Sequence, residues 1–351
     1  MNIFSDLHNV ALYYSLHLLF EKRLGGNLFR PIGLEWFDEG YWKIAEPYGN
    51  AMDTVNQFLA LDSGNNKIWN REPIEQVPGT KDYYEFEELS HGYVQKAITL
   101  EQFKNMPIDI VIASIPEHIK PYKELIAKYH PEAKFIFQMG NVGWDKDVDL
   151  APITNLLASV KPFTVPPTCH AIFYHQEFDL NIFKPTHQKP DKTLVNFVID
   201  FKRNERAGDY YALKQMMTDF TFKSYGQGCD DDYVVTRQEI ANIMNKAYMG
   251  VHLKRYGDGF GHTLYNWYAC GKPVITRFSD YRNRLGEELL VDLETAIDLD
   301  QHSLTDTAKI IRKLTPLKHE YMCQQAYQIF KDHVNYDTEA ENIKMYLDKL
   351  N

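Results

Sequence analysis

The spacing of apolar residues changes in blocks along the chain, and the blocks predict strands alternating with helices. MNIF (1–4) reads as a short buried strand and SDLHN as a polar turn. ALYYSLHLLFEKRLG (11–25) repeats apolar residues at helical spacing until Gly25-Gly26 stops it. NLFRPIG (27–33) offers the next strand. Between Trp36 and Tyr93 the pattern weakens: WFDEGYWKIAEPYGN (36–50) and the stretch Gly79–Glu88 read as irregular chain or short helices, not as sheet. The signal returns with the strand PIDIVIAS (107–114), a turn and helix in PEHIKPYKELIAKYHP (116–131) and the strand AKFIFQMGN (133–141). TNLLASV (154–160) is a short helix or strand, and HAIFYHQEFDLNIFKP (170–185) a last strand with a loop.

The polar, proline-containing THQKPDKT (186–193) reads as a linker. After it the alternation restarts with the strand LVNFVID, the helix ERAGDYYALKQMMTDF and the strand TFKSYG. Thr236 is placed to cap the helix RQEIANIMNKA, with Glu239 completing a capping box. The strand GVHLKRY leads into a glycine turn, the helix HTLYNWYAC, Gly271 as its terminator, and the strand PVIT. A short strand near Glu294–Asp298 precedes a mainly helical remainder. Strands and helices in this rhythm predict parallel α/β sheets. The expected division is a first domain over 1–187, a second over 188–333, and a closing helix in 334–351 that packs back on the first.

Length agrees, since 351 residues suit two domains better than one core. Charge narrows the partners. The formal net charge is −10, with 16 Lys/Arg against 24 Asp/Glu in 1–185 and 22 against 24 in 186–351, so the first domain draws no polyanion by bulk charge. No run of 18 apolar residues exists, which argues against a spanning helix, and the first residues show no basic leader. The four cysteines form no CxxC pair, so neither structural zinc nor a disulfide scaffold is expected, and a reducing cytoplasm is the simplest setting.

The chemistry concentrates in GDGFGHTLYNWYACGKPVITRF (257–278). Gly257, Gly259 and Gly261 permit a strand-to-helix turn in which main-chain amides approach a ligand. A helix opening at His262 or Thr263 presents unsatisfied amides to an anion, and the Thr263 hydroxyl adds a donor. Lys254, Arg255 and Arg277 near strand ends could offset phosphate charge. Lys272 reads as an exposed turn residue. No GxGxxG follows the first strand, and no Walker GxxxxGK[ST] occurs.

This stretch resembles the donor-site motif of the two-domain GT-B glycosyltransferases, especially their family-4-like retaining members, which commonly reads E-G-F-G-x-x-x-x-E-A-x-A-x-G-x-P-V. Gly259, Phe260, Gly261, Ala269, Gly271, Pro273 and Val274 stand where that motif has them, whereas Asp258 and Asn266 replace its two glutamates. The match extends over 170–290, with VVTRQEIANIMNKAYMGVHLKR and HQEFDLNIFKP resembling flanking segments. FKRNERAG (201–208) stands where the family grips donor phosphates with a Lys and an Arg: Lys202 or Arg203 for the first role, Arg206 for the second. The resemblance implies two Rossmann-like domains whose parallel sheets face across a cleft. It also implies an enzyme, with Asn266 meeting the nucleotide ribose and Asp258 the transferred sugar. The donor would be a UDP- or GDP-sugar, and transfer would be retaining and without a metal or other cofactor.

In a parallel sheet ligands gather at carboxyl strand ends, which brings forward Asp6 and His8 after the first strand and Glu117 and His118 after IDIVIAS. His118 is the first candidate for touching the transferred sugar, with Glu117 and His8 behind it; His170 and His175 rank lower and His17 reads as a helix-surface residue. Trp36, Phe37, Tyr41 and Trp42 either stack on a sugar or base or pin the irregular region to the core. The leading expectation is a cytoplasmic transferase for a saccharide or glycan-precursor hydroxyl. DNA-base glycosylation, a sugar-phosphate-processing enzyme and a non-catalytic nucleotide-sugar-binding protein are the alternatives.

Overall fold

The strand–helix alternation closes into two separate sheets in the computed structural model, which describes residues 1–6, 9–43, 55, 59, 71–73, 83–88, 90–140, 151–160, 165–198, 201, 205–226, 228–254 and 262–350. One unit comprises Met1–Ser159, Phe163–Glu177 and Tyr336–Asn351, the other Val160–Pro162 and Phe178–Asn335. The chain therefore leaves the first unit after Glu177, ahead of the polar stretch 186–193, and re-enters it at Tyr336. No helix among the described residues is long and apolar enough to cross a membrane.

The first unit is built on β1 (Asn2–Ser5), β2 (Asn27–Pro31), β3 (Arg71–Pro73), β4 (Tyr84–Glu88), β5 (Tyr93–Ile98), β6 (Ile110–Ala113), β7 (Lys134–Met139), β8 (Asn155–Ala158) and β9 (His170–Phe173), in the order β3-β4-β5-β2-β1-β6-β7-β8-β9. The seven strands from β5 to β9 in that order are parallel, while β3 and β4 run antiparallel to their neighbours. TNLLASV thus resolves as strand β8.

Strand β4 corrects the expectation of irregular chain or short helix over Gly79–Glu88. YEFEE turns Phe86 and Glu88 inward, so a carboxylate interrupts the apolar alternation that would reveal a strand. That carboxylate is satisfied locally: Glu88 accepts from Ser90 N (3.1 Å), His91 N (2.8 Å) and the Ser90 hydroxyl, and pairs with His91 Nδ1 at 2.9 Å. Burial alone raises its pKa, but these donors outweigh burial and bring it from 4.5 to about 2. A group held below its unfolded value stabilises the fold above that value and loses the contribution as it is protonated. Glu88 should therefore contribute up to roughly 3 kcal/mol at neutral pH. The contribution falls away between pH 4.5 and about pH 2. Urea unfolding across this window should show Glu88→Gln less stable than the parent at neutral pH and level with it at the acid end; parallel curves would refute the assignment.

Helix α1 (Val10–His17) is capped by Asn9, whose Oδ1 accepts from Ala11 N at 2.9 Å, and continues as a π-helical turn over Leu18–Arg23. Gly25 at φ +67° follows this turn. His17 is buried, not on the helix surface as expected, because Glu21 turns inward with it: His17 Nδ1 lies 2.7 Å from Glu21, which also accepts from Leu28 N and Lys96 Nζ. Arg23 donates to both carboxylate oxygens of Glu177 (2.6 and 2.7 Å) and pairs with Asp337. Helices α2 (Glu35–Asp38), α3 (Leu100–Asn105) and α4 (Ile119–Tyr129) complete this part of the chain. Trp36 stacks on Phe4 with ring centroids 4.8 Å apart and donates its Nε1 proton to Ile98 O, and Trp42 is buried too; both tryptophans pin the segment to the core. The closing helix Tyr336–Leu347 supplies Ala340, Ile343 and Tyr346 to the same core as Ile3, Leu12 and Ile112, with Leu350 beyond its end.

The second unit carries β10 (Thr193–Asn196), β11 (Thr221–Ser224), β12 (Met249–Val251), β13 (Val274–Thr276) and β14 (Ala296–Asp298), all parallel in the order β11-β10-β12-β13-β14. Its helices are α5 (Ala207–Met216), α6 (Arg237–Lys246), α7 (His262–Ala269), α8 (Leu304–Lys313) and α9 (Pro316–His333). The expected Thr236–Glu239 capping box opens α6. Gly271, at φ +65°, ends α7 with Gly271 N bonded to Tyr268 O and Lys272 N to Trp267 O, the paired bonds of a Schellman motif. Lys272 is not an exposed turn residue. Its side chain is buried, its Nζ donates to Ala247 O at 3.1 Å, and burial lowers its pKa.

Candidate functional site

Within the first unit, β1 and β6 are parallel neighbours, so the residues following them share one end of the sheet. There Asp6 accepts from Ser114 N (2.9 Å), Ile115 N (3.2 Å) and the Ser114 hydroxyl, and meets His118 Nδ1 at 2.7 Å. His118 Nε2 lies 2.9 Å from both the N and the O of Lys43. A neutral ring that donates from Nδ1 to Asp6 accepts from Lys43 N–H; a protonated ring donates to the Lys43 carbonyl instead. The ring stacks on Tyr122, with centroids 5.1 Å apart. His118 is 0 % and Asp6 1 % exposed, so the first candidate for the sugar lies inside the unit with both nitrogens engaged. Burial, then the charge of Asp6, push the Tyr122 phenol well above its ordinary value, and its hydroxyl has no hydrogen-bond partner among the described residues. Glu117 is exposed in the turn Pro116–His118. His8 lies outside the described residues. Of the lower candidates, His170 is exposed and His175 Nδ1 pairs with Glu339 at 2.6 Å.

In the second unit β12 lies between β10 and β13, and residues 255–261, which carry the expected anion turn, lie outside the described residues. Helix α7 opens at His262, with His262 and Thr263 half-buried in its first turn. One turn further in, Asn266 is 4 % exposed, and its Oδ1 has no hydrogen-bond partner among the described residues. A buried acceptor without a donor costs about 1–3 kcal/mol, which a ligand hydroxyl would return. Lys254 is exposed just after β12. Lys202, Arg203, Asp258, Gly259 and Gly261 lie outside the described residues.

Arg206, at the start of α5, is held by a carboxylate that sequence reading did not bring forward. Its Nε donates to Asp280 Oδ2 at 3.0 Å and its Nη2 to Oδ1 at 2.8 Å. The Asp280 hydrogen bond raises the Arg206 pKa still further, so the guanidinium stays charged. Arg277, read as a possible phosphate neutraliser, instead bonds Asp209 in the first turn of α5 (2.9 Å) and Asp300 (3.0 Å). Within the acidic run Asp230–Asp232, Asp230 pairs with Lys214 and Asp231 with Lys223. Among the described residues no group of three or more His, Cys, Asp or Glu side chains is placed to hold a metal ion.

Two Rossmann-like α/β units in this order define the GT-B architecture, and solved structures share it. The chain is similar to sucrose-phosphate synthase from Thermosynechococcus elongatus, with 11 % identity, a TM-score of 0.62 and 98 % of each chain covered. It is also similar to Anabaena HepE in complex with UDP and glucose, with 11 % identity, a TM-score of 0.61 and 99 % of each chain covered. A third similar structure is an alpha-glucosyltransferase in complex with UDP and a 13-mer DNA containing a central A:G mismatch, with 10 % identity, a TM-score of 0.54, and 99 % of this chain and 100 % of that one covered. At such identities the likeness establishes the fold. No protein-family model matches the sequence, and no curated protein matches it by sequence.

Proposed function

We propose that the chain is a glycosyltransferase of the family-4-like retaining group, moving a sugar from a nucleotide-diphosphate sugar to a hydroxyl of a saccharide or glycan precursor in the cytoplasm. The observation that carries this reading is the junction of β12 and α7. The glycine-rich segment joins them, the helix opens at His262, and one turn inside Asn266 keeps a buried carbonyl oxygen that has no partner among the described residues. In the chemistry that follows, the bond from the anomeric carbon to the donor phosphate oxygen breaks and the bond to the acceptor oxygen forms on the same face. The acceptor proton passes to the departing phosphate, which itself leaves as the base. Charge grows on that phosphate, and main-chain amides at the helix start together with Arg206 oppose it without a metal. Asn266 would accept from the ribose as a neutral group, more weakly than a carboxylate.

A UDP-sugar is the preferred donor, in keeping with the UDP in the similar Anabaena HepE structure. A DNA acceptor is the second reading. It is favoured by the similar alpha-glucosyltransferase seen with DNA and opposed by the net charge of −10. The test is nucleotide release from a panel of UDP-, GDP-, ADP- and CMP-sugars. Slow release from at least one diphosphate donor is expected even without acceptor. Neither binding nor release across the panel would overturn the proposal. Mass spectrometry of saccharides and duplex DNA incubated with the active donor then separates the two acceptors.

A further inference from the structure

The Arg206–Asp280 pair joins two loops that the strand order keeps apart. Arg206 ends the connection from β10 to α5, Asp280 stands in the turn after β13, and β12 runs between those two strands. The pair therefore crosses the carboxyl end of β12, from which the chain runs through His252 toward α7. Two parallel N–H···O bonds hold the guanidinium in one plane, and the buried carboxylate (8 % exposed) lies inward of the half-buried arginine.

The turn that carries Asp280 is itself fixed. Phe278 N donates to Asp298 Oδ1 at 3.1 Å and Ser279 N to Asp300 Oδ2 at 2.8 Å, while Arg277 reaches from the same turn to Asp209 at the head of α5. A flexible arginine beside an anion site loses rotamer freedom on binding; one already clamped by a fork of hydrogen bonds loses less.

We propose that Asp280 is a positioning residue that presents Arg206 to the donor diphosphate. This rests on the nucleotide-sugar reading. The opposing effect is that the carboxylate lowers the local positive potential, and the sign of the Asp280→Asn effect decides between orientation and competition.

Isothermal titration of the full chain with UDP, GDP and ADP and with their nucleosides provides the test, carried out on the parent, Arg206→Ala, Asp280→Asn and the double variant. Asp280→Asn should weaken the best nucleoside diphosphate on the order of tenfold while leaving its nucleoside within about twofold. In the Arg206→Ala background the same change should add no further loss that is specific to the diphosphate, because the positioning acts through that side chain. Asp280→Glu should recover part of the affinity. Tighter or unchanged diphosphate binding, a full additional loss in the double variant, or equal losses for diphosphate and nucleoside would each overturn the inference. If Asp280→Asn does not fold, Arg206→Lys carries the test, since it keeps the charge but loses the fork: a similar loss supports the inference and unchanged binding overturns it. A parent chain that binds no nucleoside diphosphate defeats the nucleotide-sugar reading first and this inference with it.

Discussion

Gly250→Val is expected to destabilise the second unit by about 3 kcal/mol or more and to abolish donor binding. Gly250 lies in β12, between β10 and β13, and a Cβ there would stand 2.7 Å from Trp267 Cε2, 2.8 Å from Cδ2 and 2.9 Å from Nε1. Those are rigid ring atoms of a fully buried indole, not the end of a flexible side chain. Neither wall yields easily, because β12 is bonded on both sides and Trp267 sits within α7. Whatever moves takes Asn266 with it, so stability and donor affinity should fall together. Gly250→Ala should show the same effect at about 1–3 kcal/mol. Urea midpoints and nucleotide titrations check both, and a valine variant with the parent midpoint would show that the indole does not pack on this strand.

Asp6→Ala should cost the first unit about 3–5 kcal/mol. The carboxylate gathers Ser114 N, Ile115 N and His118 Nδ1 in a buried place. Alanine strands all three donors. Asn retains one acceptor oxygen but turns an amide toward at least one N–H, so Asp6→Asn should fall between the alanine variant and the parent. Thermal or urea unfolding gives the ranking. An alanine variant as stable as the parent would mean that the cluster contributes nothing net to folding.

The apolar blocks were sufficient to place most strands, because buried strands such as IVIA and FIFQM carry their signal locally. They failed where polar residues face inward. Glu88 hid β4, Glu21 made His17 look superficial, and Lys272 looked like a solvated turn although its ammonium reaches a main-chain carbonyl. Each is a wholly or partly buried charge whose partner restores a balance that hydropathy alone does not count. The α7 start and its Gly271 stop were legible for the opposite reason, since glycine and capping positions act over a few residues. The Arg206–Asp280 clamp was not, because its partners are 74 residues apart and only the order of the strands brings them together.

The clamp of Arg23 on Glu177 and Asp337 has a consequence for synthesis of the chain. It fastens the point where the polypeptide departs from the first unit to the point where it returns, while Ile343 and Tyr346 plug the hydrophobic interior there. Domains commonly mature in the order in which a ribosome extrudes them. Here the later one is complete by Asn335, whereas the earlier one waits for its final sixteen residues, so the nascent protein should finish from the middle outward.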